Sequence, residues 1–153
     1  ILVGKDRRNK YIFAHVVPRK GVDPYAVARI SQDPKLLGYD KFIIKTDQEP
    51  SIIALREAAI RKLGKGESET VPGRAQQAVT EESPVGESQS NGEVERCIQE
   101  VQGMIRTIAD GLESRYQEAV NEDHPILPWV VRLAAATLNR YLKDLTEGLL
   151  TAV

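Results

Sequence analysis

Apolar residues recur along this chain in two rhythms, one of strands and one of helices. Ile1-Leu2-Val3 reads as a strand, 5–9 as a polar turn, and 11–17, rich in aromatic and β-branched residues, as a second strand. Val22-Asp23-Pro24 is a helix start, with Asp23 as N-cap and Pro24 at the first helical position. Val27 and Ile30 continue its apolar face and Gly38 closes the segment. Pro34 removes a helix hydrogen bond at a cost of about 3 kcal/mol, so the helix is expected to end or kink there. Phe42-Ile43-Ile44 is a short, continuously apolar strand of the type buried on both faces of a mixed sheet. Pro50 opens a helix whose Ile52, Leu55, Ala59 and Leu63 are spaced for one buried face, with Gly64 as its cap.

From 64 to 92 the chain is rich in Gly, Pro, Ser, Glu and Gln. Only 78–80 there has the look of a strand, and the remainder is expected to be mobile loop. Val94, Ile98, Val101, Ile105, Ile108 and Leu112 then recur at three- and four-residue steps, an amphipathic helix of about five turns. A last helix, about 128–142, carries Trp129, Val130, Leu133, Ala134, Ala136, Leu138 and Tyr141 and is apolar nearly all round. The order strand, strand, helix, strand, helix, weak strand, helix, helix places the chain in the α/β class.

A length of 153 residues is one domain's worth, and no apolar run is long enough to span a membrane. No basic-then-apolar leader opens the sequence, so a nuclear or cytoplasmic location is expected, with no membrane partner. One cysteine and two histidines exclude a Cys/His zinc cluster built from this chain. The net charge of −1 means that nucleic-acid binding would rest on local patches. Lys5, Arg7, Arg8, Lys10, Arg19 and Lys20 make one such patch against Asp6 alone. A solvated hairpin rim and a phosphate-contacting surface are both open readings of it.

Two carboxylates carry the candidate chemistry. Asp47 follows the strand 42–44, at the sheet edge where α/β ligand sites gather. Glu95 lies in the first turn of its helix, next to the apolar stripe, followed on the same flank by Gln99, Gln102 and Arg106. A carboxylate at the head of a row of amides and a cation suits a metal site beside a phosphate backbone. The plainer alternative is an acid favouring the helix macrodipole and an aspartate serving a turn.

Thr46-Asp47 and Asn91-Gly92-Glu93-Val94-Glu95-Arg96 resemble the second and third acidic motifs of the retroviral and retrotransposon integrase core. The likeness extends to the run Ala14-His15-Val16-Val17-Pro18-Arg19-Lys20-Gly21 and to Pro128-Trp129, and is greatest to integrases of long-terminal-repeat elements. It implies an RNase H-like mixed sheet flanked by helices over 1–146, with a loop-rich insertion at 64–90 and a tail at 147–153. It implies a DNA-binding polynucleotidyl transferase acting in DNA integration, a homo-oligomer, with no small-molecule cofactor. In that family three carboxylates hold two Mg²⁺ or Mn²⁺ ions for an in-line phosphodiester displacement. Asp47 and Glu95 would be the second and third metal ligands and catalytic residues. Lys45, Ser90, Asn91, Arg96, Gln99, Gln102 and Arg106 would contact DNA, Ser90 and Asn91 from a loop lying over the scissile strand.

The sequence departs from the family's pattern in four places. Gln48-Glu49-Pro50 follows Asp47 in place of Asn-Gly, an insertion within 64–75 lengthens the path to Glu95, and Pro34 interrupts a helix that relatives keep. The first aspartate should lie on a strand followed by two further strands before the first helix. Asp6 has one strand after it and reads as a turn residue, so the first, central strand is expected to be missing. The expected state is a core fragment, truncated or inactive as it stands and marginal in stability. Two other functions compete: a non-catalytic RNase H-like module that binds nucleic acid or dimerises, and an RNase H-type nuclease, against which the 91–96 motif argues. Of the remaining candidates, His15 reads as a packed or hydrogen-bonded strand residue, and Cys97 as a semi-buried small hydrophobe beside the stripe. Ser88, Ser90 and Asn91 read as capping residues or as the mobile substrate loop.

Overall fold

In the computed structural model the described residues are 1–64, 77–82 and 88–150; of 64, 77–82, 88–91 and 142–150 the backbone alone is described. The chain is mixed α/β and divides into two compact units, Ile1–Val16 with Gly92–Val153, and Val17–Asn91. Most of 65–87, where the loop-rich insertion is expected, lies outside the described residues.

The first unit is built on a hairpin. Strands β1 (Leu2–Lys5) and β2 (Ile12–His15) pair antiparallel with Leu2 opposite His15 and Lys5 opposite Ile12. Period-two alternation sends Ile12 and Ala14 into the core. Tyr11, Phe13 and His15 fall on the other face, where the Tyr11 and Phe13 rings lie tilted with centroids 4.9 Å apart. Ile12 and Ala14 pack with Cys97 and Val101 of the helix here called α3 (Ser88–Tyr116) and with Val131, Ala135 and Leu138 of a second helix (Leu127–Leu150). Asn139 of that second helix closes the outer edge of β2. Its Oδ1 accepts from the Ile12 amide at 2.7 Å, and its Nδ2 donates to the Ile12 carbonyl at 2.9 Å. One side-chain amide thus does for Ile12 what a neighbouring strand would do, and a buried backbone unit is satisfied.

The second unit is a strand–helix–strand crossover preceded by a helix. Helix α1 (Pro24–Leu36) starts as the sequence indicates, with Asp23 accepting from the amides of Tyr25 and Ala26. Strand β3 (Lys41–Thr46) is followed by helix α2 (Pro50–Gly64) and by β4 (Gln77–Glu82), which pairs parallel to β3 with Thr46 opposite Glu82. A parallel pair needs such a crossover, and α2 supplies it. Small residues let α1 and α2 approach. Ala26, Ser31 and Ala59 are buried, and the Ser31 hydroxyl lies 2.7 Å from the Val27 carbonyl and 3.4 Å from that of Ala59.

Several elements differ from expectation. Helix α1 does not end at Pro34 but runs to Leu36 and closes at Gly38, whose φ is +72°. Pro34 sits in the last turn, so the helix goes only two residues beyond the one bond that its missing N–H removes, and Gly38 takes the left-handed position after the C-cap. Strand β3 is not buried on both faces. Ile43 is 59% exposed, on the side alternating away from Phe42 and Ile44. The buried line of α3 runs through Cys97 and Val101 while Val94 is exposed, so Cys97 is a core residue. Helix α3 also begins at Ser88, so Ser88, Ser90 and Asn91 are helical rather than residues that precede the helix, and Glu95 lies about two turns in rather than in the first turn. The last helix, α4 in chain order, continues to Leu150 with Trp129 54% exposed.

Candidate functional site

Asp47 stands immediately after β3, exposed, with its Oδ1 accepting from the Gln48 amide at 2.7 Å. That bond lies within the turn between β3 and α2. Behind it, Arg56 of α2 is buried, and its Nη1 lies 3.3 Å from the Thr46 hydroxyl. A cation on the buried face of an amphipathic helix thereby ties α2 to the end of the strand that presents Asp47. Glu49, two residues on, accepts from Lys20 Nζ and from the Ser51 hydroxyl, each at 2.6 Å. The Lys20 hydrogen bond, then that of Ser51, holds its carboxyl below the usual range. Lys45, half-buried on β3, stands opposite Glu81 in the register.

Glu95 lies on α3 in the other unit, and each unit is described by itself. At about 100° per residue, Glu95, Gln99, Gln102 and Arg106 fall on one line of α3, opposite Cys97 and Val101. All four are exposed. Arg96 is exposed as well and paired with Glu100, Nε to Oε1 at 3.2 Å. The side chains of Ser90 and Asn91 lie outside the described residues.

The carboxylate that this unit gathers partners around is Glu93, which the sequence does not single out. It lies one turn before Cys97 and so on the core-facing line of α3. Lys10 Nζ approaches Oε1 at 3.0 Å, Lys5 Nζ approaches the same oxygen at 3.7 Å, and Arg7 Nε approaches Oε2 at 3.7 Å. The Lys10 hydrogen bond holds the Glu93 carboxyl below its ordinary range, against partial burial; the charges of Lys10, Lys5 and Arg7 act in the same direction as the bond. Only the pairing of β1 with β2 carries these cations to α3, so spacing along the chain gives no sign of the cluster. Asn139 and Arg56 had a fainter signal, each being one polar residue on an otherwise apolar helix face.

Among the described residues no three His, Cys, Asp or Glu side chains gather where they could hold a metal ion. Asp47 and Glu95 are each exposed and carry carboxylate oxygens, the hard donors that Mg²⁺ and Mn²⁺ take, so each by itself has the donor chemistry of such a ligand. No helix among the described residues is long and apolar enough to cross a membrane. The chain matches no protein-family model, no curated protein and no solved structure with which it was compared.

Proposed function

We propose that this chain is a core segment of a long-terminal-repeat retrotransposon integrase, RNase H-like in fold. It binds DNA, and Asp47 and Glu95 are its recognisable metal ligands. One observation carries the reading most directly: β3 delivers Thr46-Asp47 at its carboxyl end, and an α2 crossover leads to a strand parallel to it. Supporting it are the hairpin before the first helix and the exposed line Glu95, Gln99, Gln102, Arg106.

Under this reading Asp47 and Glu95 hold Mg²⁺ or Mn²⁺, which when bound would stabilise charge on a phosphodiester undergoing in-line displacement. Lys45, Gln99, Gln102 and Arg106 donate hydrogen bonds to phosphate oxygens, and with Ser90 and Asn91 they orient the strand. Arg96 exchanges its Glu100 partner for phosphate. A two-carboxylate set falls one short of the family's three, so strand transfer by this chain is expected to be at trace level. A second reading, a nucleic-acid-binding or dimerising module without catalysis, is favoured by one feature: the best-held carboxylate of α3, Glu93, is surrounded by cations.

Titration with Mn²⁺, followed by the electron-spin-resonance signal of the free ion, tests the metal assignment. Asp47→Asn and Glu95→Gln should each weaken Mn²⁺ binding about tenfold or more, the loss of one charged ligand in a small set. Binding unchanged in both variants would remove the integrase reading and leave the binding module.

A further inference from the structure

The β1–β2 turn holds more positive charge than its own folding uses. Its path is fixed by the backbone: the Asp6 amide donates to the Tyr11 carbonyl at 2.8 Å, and Lys10 adopts a φ of +58°. The Asp6 carboxylate is turned onto the Asn9 amide at 2.8 Å, so the turn's own acid caps the turn. Of its four cations, Lys5, Arg7 and Lys10 approach one further acid, Glu93, and Arg8 is exposed. Against Asp6 and Glu93 together the four leave an excess of two positive charges.

The cations are not equivalent. Lys5 is mostly covered, its side chain 16% exposed, and serves as the inner partner of Glu93. Arg7 and Lys10 keep 74% and 64% of their side-chain surface in solvent, and Arg8 is exposed at the tip. Glu93, at 34%, sits beneath them on α3. A folding device would need one cation for one carboxylate. An excess of solvent-facing guanidinium and ammonium groups on a turn of fixed shape, backed by one carboxylate, is instead suited to an anion that brings several charges in a row.

We propose that Arg7, Arg8 and Lys10 form a contact site for the phosphate backbone of a nucleic acid, with Glu93 as the internal counter-charge that the phosphates displace. The site requires no metal. It rests on the nucleic-acid reading above and adds a place and a polarity to it. Contacts of this kind position a protein on a strand without reading its sequence. Each phosphate neutralised releases counterions, so the site contributes directly to the salt dependence of binding. Glu93 opposes binding: it occupies Lys10 and Arg7 in the free protein and repels the incoming phosphates.

The test is fluorescence anisotropy of a labelled 20-base-pair duplex with the full chain in EDTA, between about 50 and 200 mM salt. Arg7→Gln/Arg8→Gln should flatten the plot of log affinity against log salt by nearly 2, the share of two phosphate contacts. Both side chains are exposed, and the far-ultraviolet circular dichroism of this variant should match the parent. Glu93→Gln should tighten binding roughly two- to fivefold at the low-salt end, the scale of one exposed charge pair. A parent that binds duplex with a slope indifferent to Arg7 and Arg8 overturns the site and leaves the nucleic-acid reading standing. A parent that binds no duplex at the lowest salt overturns both. Binding to anionic vesicles that depends on Arg7 and Arg8, without duplex binding, assigns the patch to a membrane and overturns the proposal.

Discussion

Replacing Asn139 by alanine should destabilise the first unit more than its partly exposed position suggests. The side chain makes two short hydrogen bonds, 2.7 and 2.9 Å, to the amide and carbonyl of Ile12. Ile12 itself is 1% exposed, so water does not readily replace the lost partner. A buried backbone group left without a partner costs about 1–3 kcal/mol, and two are orphaned together. Some relaxation of the hairpin edge recovers part of this, giving an expected loss of roughly 2–4 kcal/mol, a large share of the 5–15 kcal/mol typical of a domain. Urea unfolding followed by the single tryptophan, Trp129 on the same helix, measures it. Asn139→Asp separates the two bonds, since it keeps the acceptor for the Ile12 amide and loses the donor to the carbonyl. It should fall between parent and alanine variant, with the Ile12 amide still protected from exchange. A change below about 0.5 kcal/mol in Asn139→Ala, with Ile12 exchange unaltered, would falsify the claim that this amide closes the sheet edge.

Three further outcomes are expected. Val101→Ala should cost roughly 1.5–3 kcal/mol while Val94→Ala stays within about 0.5, because the former is fully buried and the latter 41% exposed; equal losses would put the helix in another phase. Burial pushes the Cys97 thiol above its ordinary value of 9.0, so it should resist alkylation at neutral pH until the chain unfolds. Because the folded value is the higher one, the associated stability is present below the unfolded value and is lost as pH rises through the folded one. A Cys97→Ser variant should flatten that alkaline limb. Glu49 and Glu93 shift the other way, both below 4.5, so the stability they add is present above pH 4.5 and is lost as pH falls through their folded values. Glu49→Gln/Glu93→Gln should therefore show a shallower acid limb in thermal melts, and an unchanged limb would mean that other carboxylates control it.

The local rules determined a good deal. Asp23 before Pro24 dictated the start of α1, Pro50 that of α2, and the spacing of Leu55, Ala59 and Leu63 the face that α2 buries, because caps and periodicity act within a turn or two. Alternation along 11–17 likewise separated Ile12 and Ala14 from Tyr11, Phe13 and His15. The tertiary structure decided what depends on partners distant in the chain. Which line of α3 is buried could not be read from its apolar residues, since Val94 and Cys97 are both acceptable there. The choice follows from where Ile12 and Ala14 meet the helix and from the cations that the hairpin brings to Glu93. Ile43 is exposed while Phe42 and Ile44 are partly covered, a difference between the two faces of β3 to which a short apolar run is blind. Asp47 was legible as a motif because it ends a strand, and Glu95 from the residues around it, although α3 begins at Ser88 and carries Glu95 about two turns inside the helix. Glu93 was not, because its partners Lys5, Arg7 and Lys10 lie more than 80 residues away in sequence and become neighbours only when β1, β2 and α3 pack.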